Sequence, residues 1–483
     1  MVLIRDLSAR VWLSVTGSAG SACVLWPPGK GMGSDYRPKS ETDVKLHRKF
    51  NAFALFGAAS ALPFAAQAQQ PGTPVQGQIP AAQAAPATAV PAQPSVPAVP
   101  APLPPPQWTV PDAQALLAYI QAIGKEGLSP TDYAPKELAA ALAAGDPVKL
   151  SEVASEHFTR LAADLALGHT RGKDRVDWSI KDPDLDGGRA DQLLRWAVTT
   201  HHVAETLDGL LPIHPQYAAL KHALEMTPAS DTDAINRIRL NLDRWRWLPQ
   251  KLGDRYIIVN VPAYTAALVE NGETISRHHA VAGKISTPTP QLSAVATGVI
   301  LNPWWEVPTS ISKEVSGKKG FVAVRKDDGS IQRWRQPPGP SNALGQVKFV
   351  MPNSKAIYLH DTNAKSRFNS SVRAFSHGCI RTQGIMKLAT ILLTEGGDEW
   401  TPEKIDATLK SGKSVQANFP EPLPVYIVYM SSAATVDGKI IDYPDIYKRD
   451  ASVIAALTDA PKPGASTRDA AKPAKPADKV ATR

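Results

Sequence analysis

The 483-residue chain is poor in cysteine, in long apolar runs and in charge of one sign. Its 2 cysteines, Cys23 and Cys379, cannot build a disulfide framework or a zinc site of four thiolates. No uninterrupted apolar run reaches about eighteen residues, which excludes a multi-pass membrane protein. Lys and Arg (53) outnumber Asp and Glu (45) only modestly and are scattered, not gathered with aromatic residues on one face. Nucleic-acid binding therefore has little support. What is plentiful is proline, 43 residues, alongside an apolar share of 43% that includes 11 Trp. That share supports at least one sizeable core, and the length allows two to four domains of about 100–200 residues.

Lys45–Ala68 (KLHRKFNAFALFGAASALPFAAQA) runs from a basic stretch through a short apolar segment to small residues. This order predicts a cleaved secretory signal over 44–68, cut near Ala68. A membrane anchor would need about 20 apolar residues, and Pro63 interrupts this run. Residues 1–43 fit no signal pattern and are read as an upstream extension, non-native or disordered, with Met32 an alternative start. Loss of 1–68 removes Cys23 and halves the net charge of +8. Cys379 is then the lone thiol of an exported protein, either an inert buried hydrophobe or a working group.

Residues 69–107 are rich in Ala, Pro and Gln and predict a semi-rigid spacer, since proline removes donors and fixes φ. From Trp108 to Met226 the apolar period is helical. Ala115, Leu116, Tyr119, Ile120 and Ile123 fall on one face. Ala154–Leu167 and Asp191–Leu211 repeat that signature. Asp182–Gly187 imitates the opening of a calcium loop, but position twelve is Leu193, so a solvated acidic turn is the better reading. His201-His202 with Glu205 lacks a metalloprotease pattern, and no metal or cofactor is expected.

After a helix over Asn236–Trp247 the period changes to strands. Arg255–Val261 is continuous and β-branched. Ala267–Glu270, Asn271-Gly272 and Glu273–Ser276 read as a hairpin, because Asn-Gly suits a type I′ turn. Thr297–Leu301, Lys348–Val350, Ala356–Leu359 and Val425–Tyr429 are further strand candidates. Short strands between turns predict a mainly-β sandwich or barrel-like domain over about 254–430. Residues 459–483, rich in Ala, Lys and Pro, predict a disordered tail.

Reactive groups concentrate in two segments, Ile357-Tyr-Leu-His360-Asp-Thr362 and Phe375-Ser376-His377-Gly378-Cys379-Ile380-Arg381. A free thiol is only a few per cent thiolate at neutral pH, so a base must take its proton. His360 and His377 are both candidate bases, with Thr362 and Ser376 as orienting groups. Arg381, two residues after the thiol, leaves an extended chain on the same side and eases formation of an anion. Gly378 permits a tight turn, and the Gly378 and Cys379 amides suit an oxyanion site. A lone cysteine is most often a small buried hydrophobe. The conjunction of single thiol, export, two histidines and an arginine favours chemistry.

Ser376–Arg381 (SHGCIR) preceded by Leu359–Thr362 (LHDT) resembles the catalytic signature of the L,D-transpeptidases, the YkuD-type cysteine enzymes of the bacterial cell wall. Asn236–Asp254, Leu301–Pro308, Pro337–Phe349 and Asp437–Asp450 resemble the larger Gram-negative members, and Gly127–Tyr133 resembles their helical scaffold domain. The likeness covers about Trp108–Ala456. It implies an α+β multidomain fold: a helical scaffold over 108–235 and a mainly-β catalytic domain over 236–430. A lid over about 308–351 and a C-terminal extension over 431–458 complete it.

The resemblance further implies Cys379 as nucleophile and His360 as proton donor and acceptor. His377, Gly378 and Ser376 would shape the oxyanion site, with Arg381, Thr362 and Arg373 in support. Trp304, Trp305, Asn342 and Tyr358 would line the donor groove. The expected partners are peptidoglycan stem peptides, a donor tetrapeptide and an acceptor stem, met by a periplasmic monomer with no membrane span after signal cleavage. The expected reaction is 3→3 crosslinking with release of terminal D-Ala. L,D-carboxypeptidase activity, attachment of an outer-membrane protein to the wall, and a non-catalytic wall-binding scaffold are the alternatives. Two departures stand out: Ala223–Asp233 is too short for the peptidoglycan-binding module many relatives carry, and Asn363 replaces a frequent Pro.

Overall fold

The computed structural model describes residues 104–180, 185–395 and 399–458. The expected signal, most of the spacer, part of the Asp182–Gly187 turn and the tail lie outside the described residues.

A helical region comes first: α1 (Val110–Gln121), α2 (Pro135–Ala144), α3 (Pro147–Leu167), α4 (Gly187–Thr200), α5 (Val203–Asp208), α6 (Pro215–Met226) and α7 (Thr232–Arg246). Short polar side chains start these helices by accepting from otherwise unpaired amides. Thr109 caps α1, Asp146 caps α3, Asp186 caps α4 and Asp231 caps α7. The apolar face of α1 is built on Ala113, Leu116, Tyr119 and Ile120, whereas Ala115, expected there, is exposed. The spacing 113, 116, 120 keeps a helical stripe in line, and Ala115 falls off its edge. The single helix expected over Asp191–Leu211 is two, because His201 adopts a left-handed φ of 58°.

Leu116, Phe158 and Leu161 centre one helical core. Helices α6 and α7 instead lie on the β-sheet, where Leu220, Ile238 and Leu242 pack against Tyr256, Ile258 and Val428.

The strand-rich region opens with β1 (Arg255–Asn260), β2 (Thr265–Glu270), β3 (Glu273–Gly283) and β4 (Leu292–Leu301). An excursion follows, formed by β5 (Trp305–Glu306), α8 (Ser312–Val315), β6 (Val322–Arg325) and β7 (Ile331–Gln336). The chain returns through β8 (Val347–Val350), β9 (Leu359–His360), β10 (Ala374–Ser376) and β11 (Ile380–Thr382). Next come α9 (Ile385–Thr394), α10 (Pro402–Ser411) and β12 (Val415–Val428), and then β13 (Ser432–Ala434), β14 (Ile440–Asp442) and α11 (Asp450–Thr458).

The main sheet runs β10-β3-β11-β9-β8-β4-β12-β1-β2, and β2 also pairs with β3. That last pairing closes every strand but β10 into a barrel-like ring. The β2–β3 hairpin turns at Asn271-Gly272, where φ values of 49° and 81° supply the expected type I′ geometry. Of the candidate strand Ala356–Leu359 only Leu359 is extended; Ala356 has φ of 53° and residues 351–358 are irregular. The segment over 308–351, expected as a lid, divides between two sheets. Strands β5, β7 and β6 form their own sheet around Val307, Ile311 and Val315, whereas β8 belongs to the ring through β4 and β9.

Candidate active site

Three strands of the ring carry the polar groups in one row. Lys348 on β8 lies opposite His360 on β9, and His360 lies opposite Arg381 on β11. Leu359 and Ile380 are fully buried in the apolar core, so their alternating neighbours Tyr358, His360, Cys379 and Arg381 leave the other face. The Ile380 amide donates to the Tyr358 carbonyl at 3.0 Å, which sets Cys379 beside Tyr358. Cys379 is part-buried, with Sγ 3.8 Å from the Ala356 carbonyl. Ala356 and Tyr358 also line a groove of about 330 Å³ with Lys348, Val350 and Asn353.

The turn before the thiol is held by Ser376. Its Oγ donates to the Cys379 carbonyl at 2.6 Å and accepts from the Gly378 amide at 3.1 Å. Gly378 has φ of 115°, and a Cβ there would lie 3.1 Å from Ile357 Cδ1, so glycine is required. The Gly378 amide, expected to serve an oxyanion, is thus engaged by Ser376. Among the described residues, the Cys379 amide has no acceptor.

Burial dominates the electrostatics. It pushes the Cys379 thiol up, against the pull of the Tyr358 amide and hydroxyl and of the Lys348 and Arg381 cations. Burial, and then Arg381, push the His360 imidazole down to about 3. The resting pair is thus a neutral thiol and a neutral imidazole, although the two cations favour the anion. His360 Nδ1 and Arg381 Nε are buried without a hydrogen-bond partner among the described residues. The Tyr358 hydroxyl faces both Cys379 and Trp305, its ring lies 5.5 Å from that of His360, and Lys348 Nζ sits 4.1 Å from its centroid.

The two histidines, equivalent in the sequence, separate here. His360 is buried in the row opposite Arg381, whereas His377 is exposed, its Nε2 3.3 Å from both Lys284 Nζ and Glu314 Oε1 of α8. His377 thus joins the turn before Cys379 to the excursion. Thr362 is buried, and its Oγ1 accepts from the Ala364 amide at 3.1 Å, shaping the loop after His360. Asn363 bonds the Ser341 carbonyl at 2.9 Å. Arg373 donates to the carbonyls of Ser370, Ala280 and Tyr264, so it braces backbone away from the sulfur.

Trp305 meets Tyr358 and packs on Phe321, while Trp304 is partly exposed under the Arg335 guanidinium, 4.3 Å away. Asn342 is the other residue expected in the donor groove. It is fully buried, its amide donating to the Pro303 and Pro337 carbonyls and accepting from the Leu344 amide. Sequence reasoning missed Lys348. A lone lysine within the apolar strand Val347–Val350 was the available signal.

Residues 254–405 match the L,D-transpeptidase catalytic domain of the YkuD family, and residues 104–224 match a scaffold domain. A Haemophilus influenzae protein provisionally named an L,D-transpeptidase is 30% identical over 293 residues, 54% of this chain. The chain spans 59% of that relative's length. Solved L,D-transpeptidases from Mycobacterium smegmatis and Mycobacterium tuberculosis are 14% and 12% identical, each over 36% of this chain and 58% and 57% of theirs, with a TM-score of 0.20 for both. The chain carries a YkuD-type L,D-transpeptidase catalytic domain over residues 254–405 and a scaffold domain over residues 104–224.

Proposed function

We propose that the chain is a periplasmic acyltransferase that makes 3→3 crosslinks between peptidoglycan stems through a thioester on Cys379. The observation that carries this reading is the arrangement of Cys379 and His360 on one sheet face, with the Cys379 amide unengaged beside them.

Cys379 Sγ attacks the carbonyl carbon of the third residue of a donor tetrapeptide while His360 takes the thiol proton. The carbonyl electron pair moves to oxygen, where the Cys379 amide receives it. Such a donor is worth about 10²–10³ in turnover, and a positioned base about 10²–10⁴. The C–N bond to D-Ala then breaks, and His360 returns the proton to the departing amine. An amine of a second stem attacks the thioester, forms the amide and releases the thiol. Because burial and Arg381 oppose a lasting imidazolium, His360 holds the proton only in transit. Lys348 and Arg381 ease the charge on sulfur.

The excursion over 305–336 supports transfer over hydrolysis, since its Trp305 reaches Tyr358 and its Glu314 reaches His377, a placement suited to keeping water from the thioester.

The test is product analysis on purified disaccharide-tetrapeptide. Crosslinked dimer with an equal amount of free D-Ala is expected. Trimmed tripeptide alone would instead make it an L,D-carboxypeptidase, and unchanged substrate would leave a wall-binding scaffold. Mass spectrometry of sacculi for covalently attached outer-membrane protein distinguishes the remaining alternative.

A further inference from the structure

We infer that Thr289 is a positioning residue that aims the Cys379 amide, and that the C-terminal segment holds Thr289 in place through Tyr447 and Arg449. The inference rests on the acyl-transfer reading above.

Thr289 is fully buried, and each of its polar atoms is engaged. Its Oγ1 donates to the Gly378 carbonyl at 2.8 Å and accepts from the Gly283 amide at 2.9 Å. Its amide donates to the Tyr447 hydroxyl at 3.2 Å, and that hydroxyl donates to the Gly283 carbonyl at 2.6 Å. Its carbonyl accepts from Arg449 Nη1 at 3.2 Å and Nη2 at 3.3 Å. Arg449 is itself buried, lies 4.9 Å from the Tyr447 ring centroid and pairs with Asp177. Residues 447–449 lie beyond the 254–405 match, yet they end two hydrogen bonds from the nucleophile's own peptide.

Geometry makes the Gly378 carbonyl an effective handle. That carbonyl and the Cys379 amide belong to one planar trans peptide, so the C=O and N–H point in opposite directions. Fixing the oxygen on Thr289 therefore fixes where the N–H aims. Gly378, with φ of 115°, lacks the steric barrier that would otherwise hold this peptide in one orientation. The neighbouring turn is held in the same way, as the Lys284 amide and Thr287 Oγ1 both reach the Ser376 carbonyl, at 2.8 and 3.2 Å. Thr289 thus acts on the donor that receives the developing oxyanion, without touching substrate.

The test compares two reactions of Cys379 in the full chain. Acylation by imipenem develops an oxyanion, whereas alkylation by iodoacetamide is a displacement that needs none. Thr289→Val, similar in shape but without the hydroxyl, is expected to slow the maximal acylation rate ten- to a hundredfold. The concentration for half-maximal acylation and the alkylation rate should change less than threefold, and Thr289→Ser should restore acylation. Tyr447→Phe, which keeps the ring, is expected to shift the same ratio in the same direction. It serves as the decisive variant if Thr289→Val does not fold. Acylation and alkylation falling together, or acylation unchanged while the unaltered chain reacts, would overturn this inference alone. No acylation of the unaltered chain would overturn the proposed function, and this inference with it.

Discussion

His360 and Arg381 stand opposite each other across β9 and β11 in parallel register, so an imidazole and a guanidinium leave the same face of one sheet. The cation opposes protonation of the ring, adding to burial, and both hold His360 down at about 3. A group depressed in this way is neutral, and able to accept a proton, at every pH above that value. The rate of imipenem acylation should therefore stay within threefold between pH 5 and pH 7. An ordinary imidazole of pKa about 6.5 would be only ~3% neutral at pH 5, so a fall of tenfold or more would contradict the assignment. Arg381→Met removes the opposing charge and should move the acid limb upward.

Tyr358 presents its backbone amide and its hydroxyl to the sulfur. Removing the hydroxyl in Tyr358→Phe deletes a hydrogen bond to a developing anion, worth about 1.5–3 kcal/mol. The thiol pKa, read from the pH dependence of iodoacetamide alkylation, should rise, and acylation should fall about tenfold or more. An unchanged thiol pKa would place the hydroxyl elsewhere.

Gly378→Ala meets two obstacles, a φ of 115° and a Cβ 3.1 Å from Ile357 Cδ1. Ile357→Val relieves only the second, so the double variant should remain impaired by at least tenfold in acylation, since backbone strain of about 1–3 kcal/mol persists. Full recovery in the double variant would show that packing alone demands the glycine.

The region most legible in the sequence was the one where a local pattern has a single structural solution. Asn271-Gly272 required positive φ at both positions and supplied it. The cluster Ser376–Arg381 could be located because its residues are contiguous. The row Lys348–His360–Arg381 was not legible, because register between strands distant in sequence decides which side chains meet. The engagement of the Gly378 and Asn342 donors was hidden for a related reason. Ser376 and the Pro303 and Pro337 carbonyls occupy them, and competition for a donor is visible only in three dimensions.

Asp243 ties α7 to the chain that follows α3. Its carboxylate is fully buried and accepts from the His169 and Thr170 amides at 2.5 and 3.1 Å and from Trp247 Nε1 at 3.0 Å, with Arg246 beside it. Burial pushes its pKa up, but Arg246, His169 and these donors outweigh burial and leave it lowered. Its stabilisation is therefore present above the unfolded value of about 3.9 and lost as pH falls through the lowered folded value. Asp243→Asn should cost about 3–5 kcal/mol at pH 7 in urea unfolding. The gap between the two proteins should narrow below pH 4, and a gap that widened there would contradict this sign.

The central claim is a covalent bond to one sulfur, and intact-mass spectrometry of the protein quenched during turnover of disaccharide-tetrapeptide tests it most directly. The account predicts a mass increase equal to the disaccharide-tetrapeptide less D-Ala, mapped by peptide digestion to Cys379 and absent from Cys379→Ala, which makes no dimer. Crosslinked dimer formed at full rate by Cys379→Ala would contradict it.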